Sequence, residues 1–498
     1  MATTNFTSGT VIASTWLNDV DDFVYNTVVN VREYGALGNG TTDDTTAIQA
    51  AITAAEALVL NRFTGPGVTV FFPNGTYLIS STLTITTSNI YLVGGSPGGS
   101  MLYAPSSTFD LVDFDGSALA LYSVGMLNMK TYTPGNATAG AHIRVQRAIN
   151  SIFANLQCIG WYDGIVSDGC GKTYYDNIIL SQENRTAATT CRYGLDFVST
   201  ANNNSDVHVS NYQVIIGSAT CSYSSSVRGG DGIYFTNGHQ TGGMLIQPDG
   251  TGTTTTASCF WNQVYFDEAT ATNVSFTGSS TNYRNFHFNN CYFRDSGGSG
   301  VQFNASSTIT RVIFTGCEFA EHRLYGIYGQ TSVTDTIVSG CIFTGNNTDN
   351  AASTGDIRWE GEINVTGSRF IGGGAAGTAL LLTASSSDCL INGNSFASTS
   401  AGTVVADSGT NNRVRGNTGF SKKSFGQETI TNPATTAVVS HNLAVTPSVA
   451  QISLTLNSAS AGVTRMWVSN VTSTQFTINL DATPTTTSTV GWLADAEV

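Results

Sequence analysis

Between about residues 68 and 420, apolar and polar positions alternate in short runs broken by Gly, Asn and Ser, and helical periodicity is absent. The later part of this stretch repeats. The segments NCYF (290–293), GCEF (316–319), GCIF (340–343), GSRF (367–370) and GNSF (393–396) align, with QVYF (263–266) before them and the looser GNTGF (416–420) after. Their first residues step by 27, 26, 24, 27, 26 and 23. A fixed period of this size marks a solenoid. With β-type sequence, one repeat is one coil of a parallel β-helix: three short strands and three turns, stacked about 4.8 Å apart. A Gly-apolar pair recurs as well, at Gly164-Ile165, Gly194-Leu195, Gly232-Ile233, Gly300-Val301 and Gly326-Ile327. Cys291, Cys317 and Cys341 share one repeat position and form an interior ladder, read as stacked core thiols in preference to a metal site.

The flanks differ. Trp16, Val20, Phe23 and Val24 fall near helical spacing, with Asn18, Asp19, Asp21 and Asp22 between them. This is a short amphipathic helix that needs a surface to dock on. Val29 and Val31 alternate as in a strand, and Gly35, Gly38 and Gly40 mark a turn. Asp43 or Asp44 can cap a helix from about Thr45 to Leu60 with Ala47, Ile48, Ala51, Ile52 and Ala55 on one stripe. GPGVTVFFPNGTYLIS then reads as two strands joined by a Pro-Asn-Gly-Thr turn. Irregular long coils occupy about 181–262, and insertions in a regular scaffold are where function concentrates. Residues 427–498 contain TAVVSHNL, SVAQISLTL, TRMWVSNV and TQFTINL, a small β-sandwich or barrel. A core of that size is marginal alone, so oligomerisation is plausible. The layout is therefore 1–28 (attachment segment), 29–67 (cap strand and helix), 68–425 (β-helix) and 426–498 (C-terminal β unit).

Composition narrows the function. Only 11% of the residues are charged, yet 19 Tyr and 25 Phe exclude disorder. The net charge of −14 repels phosphate backbones, so nucleic acid is not an expected partner, and a neutral or sparsely charged polymer meets no such barrier. No apolar run is long enough to span a membrane, and MATTNFTSGT lacks the features of a signal peptide. The nine cysteines include no CxxC spacing, so buried free thiols made in a reducing cytoplasm are expected, and no metal or cofactor is.

VREYGALGNGTTDDTTAIQAAI (31–52) resembles the opening motif of the pectate-lyase-like β-helix superfamily, common in phage tailspikes and polysaccharide depolymerases. FTSGTVIASTWLNDVDDFVYN (6–26) looks like the virion-attachment segment of short-tailed phage tail proteins, and VSHNL with the terminal β unit looks like a phage tail C-terminal domain. The resemblance implies an all-β protein: a right-handed parallel β-helix with a short N-terminal helix and a C-terminal β-sandwich. It further implies a homotrimer in the virion tail, joined to the tail or baseplate through residues 1–28 and made in the host cytoplasm. There it would bind, and usually cleave, a bacterial cell-surface polysaccharide.

The repeat selects the candidate chemistry. FDEAT (266–270), FRDSG (293–297) and FAEHR (319–323) each place an acidic residue two positions after a Phe: Glu268, Asp295 and Glu321. Stacked coils would set adjacent members about 5 Å apart and the outer pair about 10 Å. Glycosidases use carboxylate pairs about 5–5.5 Å apart for retention or about 6.5–9.5 Å for inversion. Gly345 and Gly372 end the row. The same residues could simply solvate turns. Alternative carboxylates are Asp267, Asp231 and Glu183; Asp231, like Asp163, precedes a Gly-Ile pair and reads as a turn residue. His239, Arg294, His322, Arg323 and Tyr325 are the candidate substrate-binding residues, the group around Glu321 suiting a lyase as the second enzymatic reading. A non-catalytic receptor-binding protein of the same fold is the third.

Overall fold

The computed structural model describes residues 27–63, 67–135, 137–182, 191–200, 202–217, 221, 223–248, 256–279, 283–351, 354–372, 377–397, 403–419, 423–443, 446–458 and 461–496. The amphipathic segment at 12–25 lies outside them. The chain forms two compact units, residues 1–260 and 261–498.

In the first unit a short strand, Val28–Asn30, and a single 3-10 turn, Val31–Tyr34, lead to the helix Thr45–Leu58. Asp44 is its N-cap residue, but its carboxylate serves the preceding loop, accepting from the amides of Leu37 (2.7 Å) and Gly38 (3.0 Å). Asp43 accepts from the Thr45 amide at 3.0 Å. Ile48, Ala51, Ile52 and Ala55 are fully buried. The strands Val68–Phe72 and Gly75–Leu78 flank the Pro-Asn-Gly turn without pairing to each other. Each pairs in parallel with a strand one coil on, Ile90–Gly94 and Ser100–Tyr103. The turn is thus a coil corner, not a hairpin.

Parallel rungs then stack through Gly125–Tyr132, Ile152–Ile159, Tyr174–Ser181, Ser205–Ile215 and Gly230–Thr241. A second sheet stacks Val112–Asp115, Ala141–Gln146, Asp163–Asp168, Tyr193–Val198 and Tyr223–Val227. The stretch from 181 that reads as irregular in sequence thus contains strands of 11 and 12 residues, Ser205–Ile215 and Gly230–Thr241. They run through their corners because Asn211 and Asn237 take left-handed φ angles of 52° and 53° in mid-strand. Asn has a short side chain that tolerates this region.

In the second unit five successive coils have the expected three strands, for example Tyr283–Asn289, Tyr292–Arg294 and Val301–Phe303. The repeated Phe forms one interior stack. Phe266, Phe293, Phe319, Phe343, Phe370 and Phe396 lie 4.9, 4.7, 4.9, 4.8 and 4.6 Å apart, ring to ring. Coil spacing thus appears directly in side-chain packing, and burying each ring contributes about 1.5–3 kcal/mol. Cys291, Cys317 and Cys341 are buried beside it. Strands Lys423–Thr431, Thr487–Asp495 and Ile452–Ser458 form one antiparallel sheet; Thr436–Ser440, Gln475–Leu480 and Met466–Ser469 form another. Phe476, Ile478, Val490 and Trp492 fill the separate core of this C-terminal sandwich.

The cysteines need one correction. Seven are free and buried, but Cys191 and Cys221 form a disulfide, their Cα atoms 5.2 Å apart. Thirty positions separate them in sequence, and only coil stacking makes them neighbours.

Candidate functional site

Glu268, Asp295 and Glu321 occupy the same corner of successive coils. Their φ angles are 49°, 45° and 58°, and Gly345 and Gly372 continue the row at 63° and 69°. All three acidic side chains are exposed. The strand registers Phe266↔Phe293 and Phe293↔Phe319 put them one coil apart per step. Arg294 reaches Glu321 at 2.8 Å. Outside the same strands Tyr265 and Tyr292 stack at 4.9 Å, and burial raises both phenols above their usual range. Asp267 accepts from the Glu268 amide at 3.0 Å, which holds the corner. The row therefore offers carboxylates, a guanidinium and two aromatic faces on one half-exposed surface.

The residue after each corner points inward. Ser296 and His322 are buried and share a 3.0 Å hydrogen bond through His322 Nδ1. The His322 amide donates to Asn346 Oδ1 at 3.3 Å, and Asn346 donates to the buried Asp356 at 2.7 Å. Burial pushes the His322 imidazole down to about 3, so it is a neutral core residue. Tyr325 is likewise buried, stacked on Tyr328 at 5.3 Å. Arg323 is exposed and paired with Asp349 at 2.8 Å. In the first unit Asp231 is exposed at the start of its strand. His239 lines a groove of about 350 Å³ with Asn177, Ile179, Asn211, Gln213 and Asn237. Glu183 lies outside the described residues.

Sequence reading missed a second constellation, on the outer face of the first unit's second sheet. Asp110 pairs with Arg144 at 2.7 Å, Asp163 with Arg192 at 2.9 Å, and Asp196 with Arg228 at 2.9 Å. Arg192 also approaches Asp196 at 3.8 Å. Tyr193 lies under both Arg192 (5.5 Å) and Arg228 (5.4 Å). Asp163 and Asp196 are almost fully buried. Burial raises the Asp163 carboxyl, with Arg192 opposing it. Asp113, held by Gln146 at 3.0 Å, is pushed up to about 6 by burial. Raised carboxyls beside specific charge partners are a recognised mark of functional sites. Asp163 opens the strand Asp163–Asp168 and is not a turn residue. Its signal in the sequence was the run CRYGLD (191–196), which places a charge immediately before a strand, Arg192, and another within it, Asp196.

Removing Arg192 tests how much this patch depends on pairing. Arg192→Ala is expected to cost about 2–3 kcal/mol, below the value for a fully buried pair because Arg192 is 41% exposed. The carboxyl of Asp163 is raised, so its charged form is the costly one. The loss should be larger at about pH 8 than at about pH 5, because a raised carboxyl left without its cation escapes more of the penalty by protonation as pH falls. Urea midpoints at both pH values measure this, and an equal loss at both would show that another group is left unpaired.

Known proteins share this architecture. The A-module of mannuronan C-5 epimerase AlgE6 from Azotobacter vinelandii superimposes with a TM-score of 0.53 at 17% identity, over 78% of this chain and 98% of that one. ORF18 of Geobacillus virus E2 aligns at 20% identity with a TM-score of 0.49, over 74% of this chain and 66% of that one, and at that score adds nothing to the fold assignment. In sequence, 80 residues are 44% identical to mannuronan C5-epimerase AlgE3 of Azotobacter vinelandii. They make up 15% of this chain and only 4% of that relative. Residues 272–443 match the right-handed β-helix region, and residues 28–348, well over half the chain, match the rhamnogalacturonase A/epimerase, pectate lyase-like model. The chain belongs to the rhamnogalacturonase A/epimerase, pectate lyase-like family.

Proposed function

We propose that this protein is a phage tailspike that recognises and depolymerises a bacterial capsule, exopolysaccharide or O-antigen by endo-glycosidic hydrolysis. It would act as a homotrimer at the host surface. The observation that carries the reading is the register of Glu268, Asp295 and Glu321 on one exposed corner, one coil apart, beside Arg294 and the Tyr265–Tyr292 stack. At about 4.8 Å per coil, adjacent members approach the separation of a retaining acid–nucleophile pair. Aromatic faces and a guanidinium beside them suit sugar rings and their substituents.

A second reading, elimination or epimerisation at a uronate, is favoured by the Asp163–Arg192–Tyr193 patch, which combines a cation, a phenol and raised carboxyls. It also agrees with the stretch shared with AlgE3. Product chemistry separates the readings. The purified protein is incubated with polysaccharides from candidate hosts. New reducing ends without ultraviolet-absorbing unsaturated uronates are the expected result. Unsaturated ends would replace hydrolysis with elimination. Stable adsorption with no released oligosaccharide would make the protein a non-catalytic receptor binder.

A further inference from the structure

The first unit carries an outward aromatic row distant in sequence from the acidic corner. Tyr174, His208, Tyr234 and Phe260 stack at 5.0, 4.6 and 5.0 Å with ring planes within 10° of parallel. The registers Tyr174↔His208 and His208↔Tyr234 make them equivalent positions of successive coils. Tyr174 is 49% exposed, and Ile152, which precedes it in the same row, is 39% exposed. Interior stacking therefore does not account for the row. Near-parallel rings along the coil axis present their rims outward, giving a rail of aromatic edges with phenol hydroxyls and an imidazole.

Three residues further along the same strands lie Asn177, Asn211 and Asn237, about 10 Å of chain away. These amides line the groove of about 350 Å³ with Ile179, Gln213 and His239. Its volume falls within the range of small-ligand sites, and no Arg, Lys, Asp or Glu lines it. Amides donate and accept at once, which matches sugar hydroxyls and offers nothing particular to a phosphate or uronate.

We propose that this rail and amide groove form a non-catalytic binding site for an uncharged stretch of the polysaccharide chain. The site rests on the polysaccharide reading above and deepens it: sugar hydroxyls bond the phenol and imidazole groups along the rail and the amides of the groove. It would hold the polymer while cleavage occurs elsewhere, so its contribution shows in retention on long chains.

The test is affinity electrophoresis of the intact protein through gels containing purified bacterial capsular and O-chain polysaccharides. Each retained combination is repeated with Tyr174→Ala/Tyr234→Ala and, separately, with Gln213→Ala/His239→Ala. Melting curves and light scattering accompany every variant. The expected result is about tenfold weaker retention for each double variant, with fold and molecular mass unchanged. Unchanged retention of both variants overturns the site. A fall in molecular mass alongside weaker retention also overturns it, since the face would then join copies of this chain. If the intact protein is retained by none of the polysaccharides, the proposed function itself fails, and this site with it.

Discussion

Glu321→Gln is expected to lower depolymerisation by about 10²–10⁴-fold, the usual worth of a positioned acid or base. The fold should be untouched, because the side chain is exposed and exposed substitutions seldom move stability by more than about 0.5 kcal/mol. Glu321 stands at a left-handed corner, φ 58°, that Gly345 fills one coil later. A glycine would serve the backbone better there, since only Gly takes this region without steric cost. Arg294, at 2.8 Å, fixes where the carboxylate points. Asp295→Asn and Glu268→Gln complete the series, and the pattern identifies the pair. Loss at Asp295 and Glu321 alone selects neighbours about 5 Å apart, hence retention. Loss at Glu268 and Glu321 alone selects a separation of about 10 Å, nearer the inverting range. The assay is release of reducing ends under saturating polymer, with melting curves as the control on folding. Undiminished activity in all three variants would return the row to turn chemistry and leave the Asp163–Arg192 patch as the place to look.

Why the row was legible and the patch was not follows from how a β-helix stores information. Repeated Phe, Cys and Gly at steps of 23 to 27 residues are visible because the coils of the second unit keep nearly the same length and side-chain order. Equivalence in the repeat becomes adjacency in space, as the Phe266–Phe396 stack shows. The first unit varies its coil lengths, so no alignment puts Asp163 beside Arg192, 29 residues on, or Cys191 beside Cys221. Asp163 was misread because the Gly-Ile pair after it imitates a turn, although it opens the strand Asp163–Asp168. His322 is buried for a different reason. Strand alternation would turn Glu321 and Phe319 to the same side. The left-handed corner at Glu321 breaks that parity, sending Glu321 outward and His322 inward. A single positive φ thus reverses the inside–outside assignment of everything after it, and sequence patterns do not show it for a Glu.

The corner also links the exposed row to a buried group that titrates near neutrality, and Asp356→Asn is expected to change the pH dependence of stability. Asp356 is 2% exposed, and burial lifts its carboxyl to about 7, with the Asn346 hydrogen bond opposing the shift. An unfolded aspartate titrates near about 3.9, so the native state holds an extra proton between roughly pH 4 and 7. Its folded value is raised, so stability falls as pH climbs through that window, and the loss is complete above it. The ceiling is about 4 kcal/mol for a shift of this size. His322 is the neighbouring titratable group on this hydrogen-bond chain, and it stays neutral throughout because burial holds it near 3. Asparagine keeps the shape and an acceptor for Asn346 but carries no titrating proton. The variant's stability relative to the parent should rise by about 3 kcal/mol between about pH 5 and about pH 8. Asp113 and Asp163, also raised by burial, leave a residual slope of the same sign in both proteins. Denaturant midpoints at the two pH values measure the difference. A stability gap of equal size at both would show that Asp356 does not titrate in the native protein between them. If the gap opens as expected, the amide of His322, bonded to Asn346, should also exchange faster in the parent than in the variant at high pH, because the buried charge on Asp356 lowers the stability of the parent.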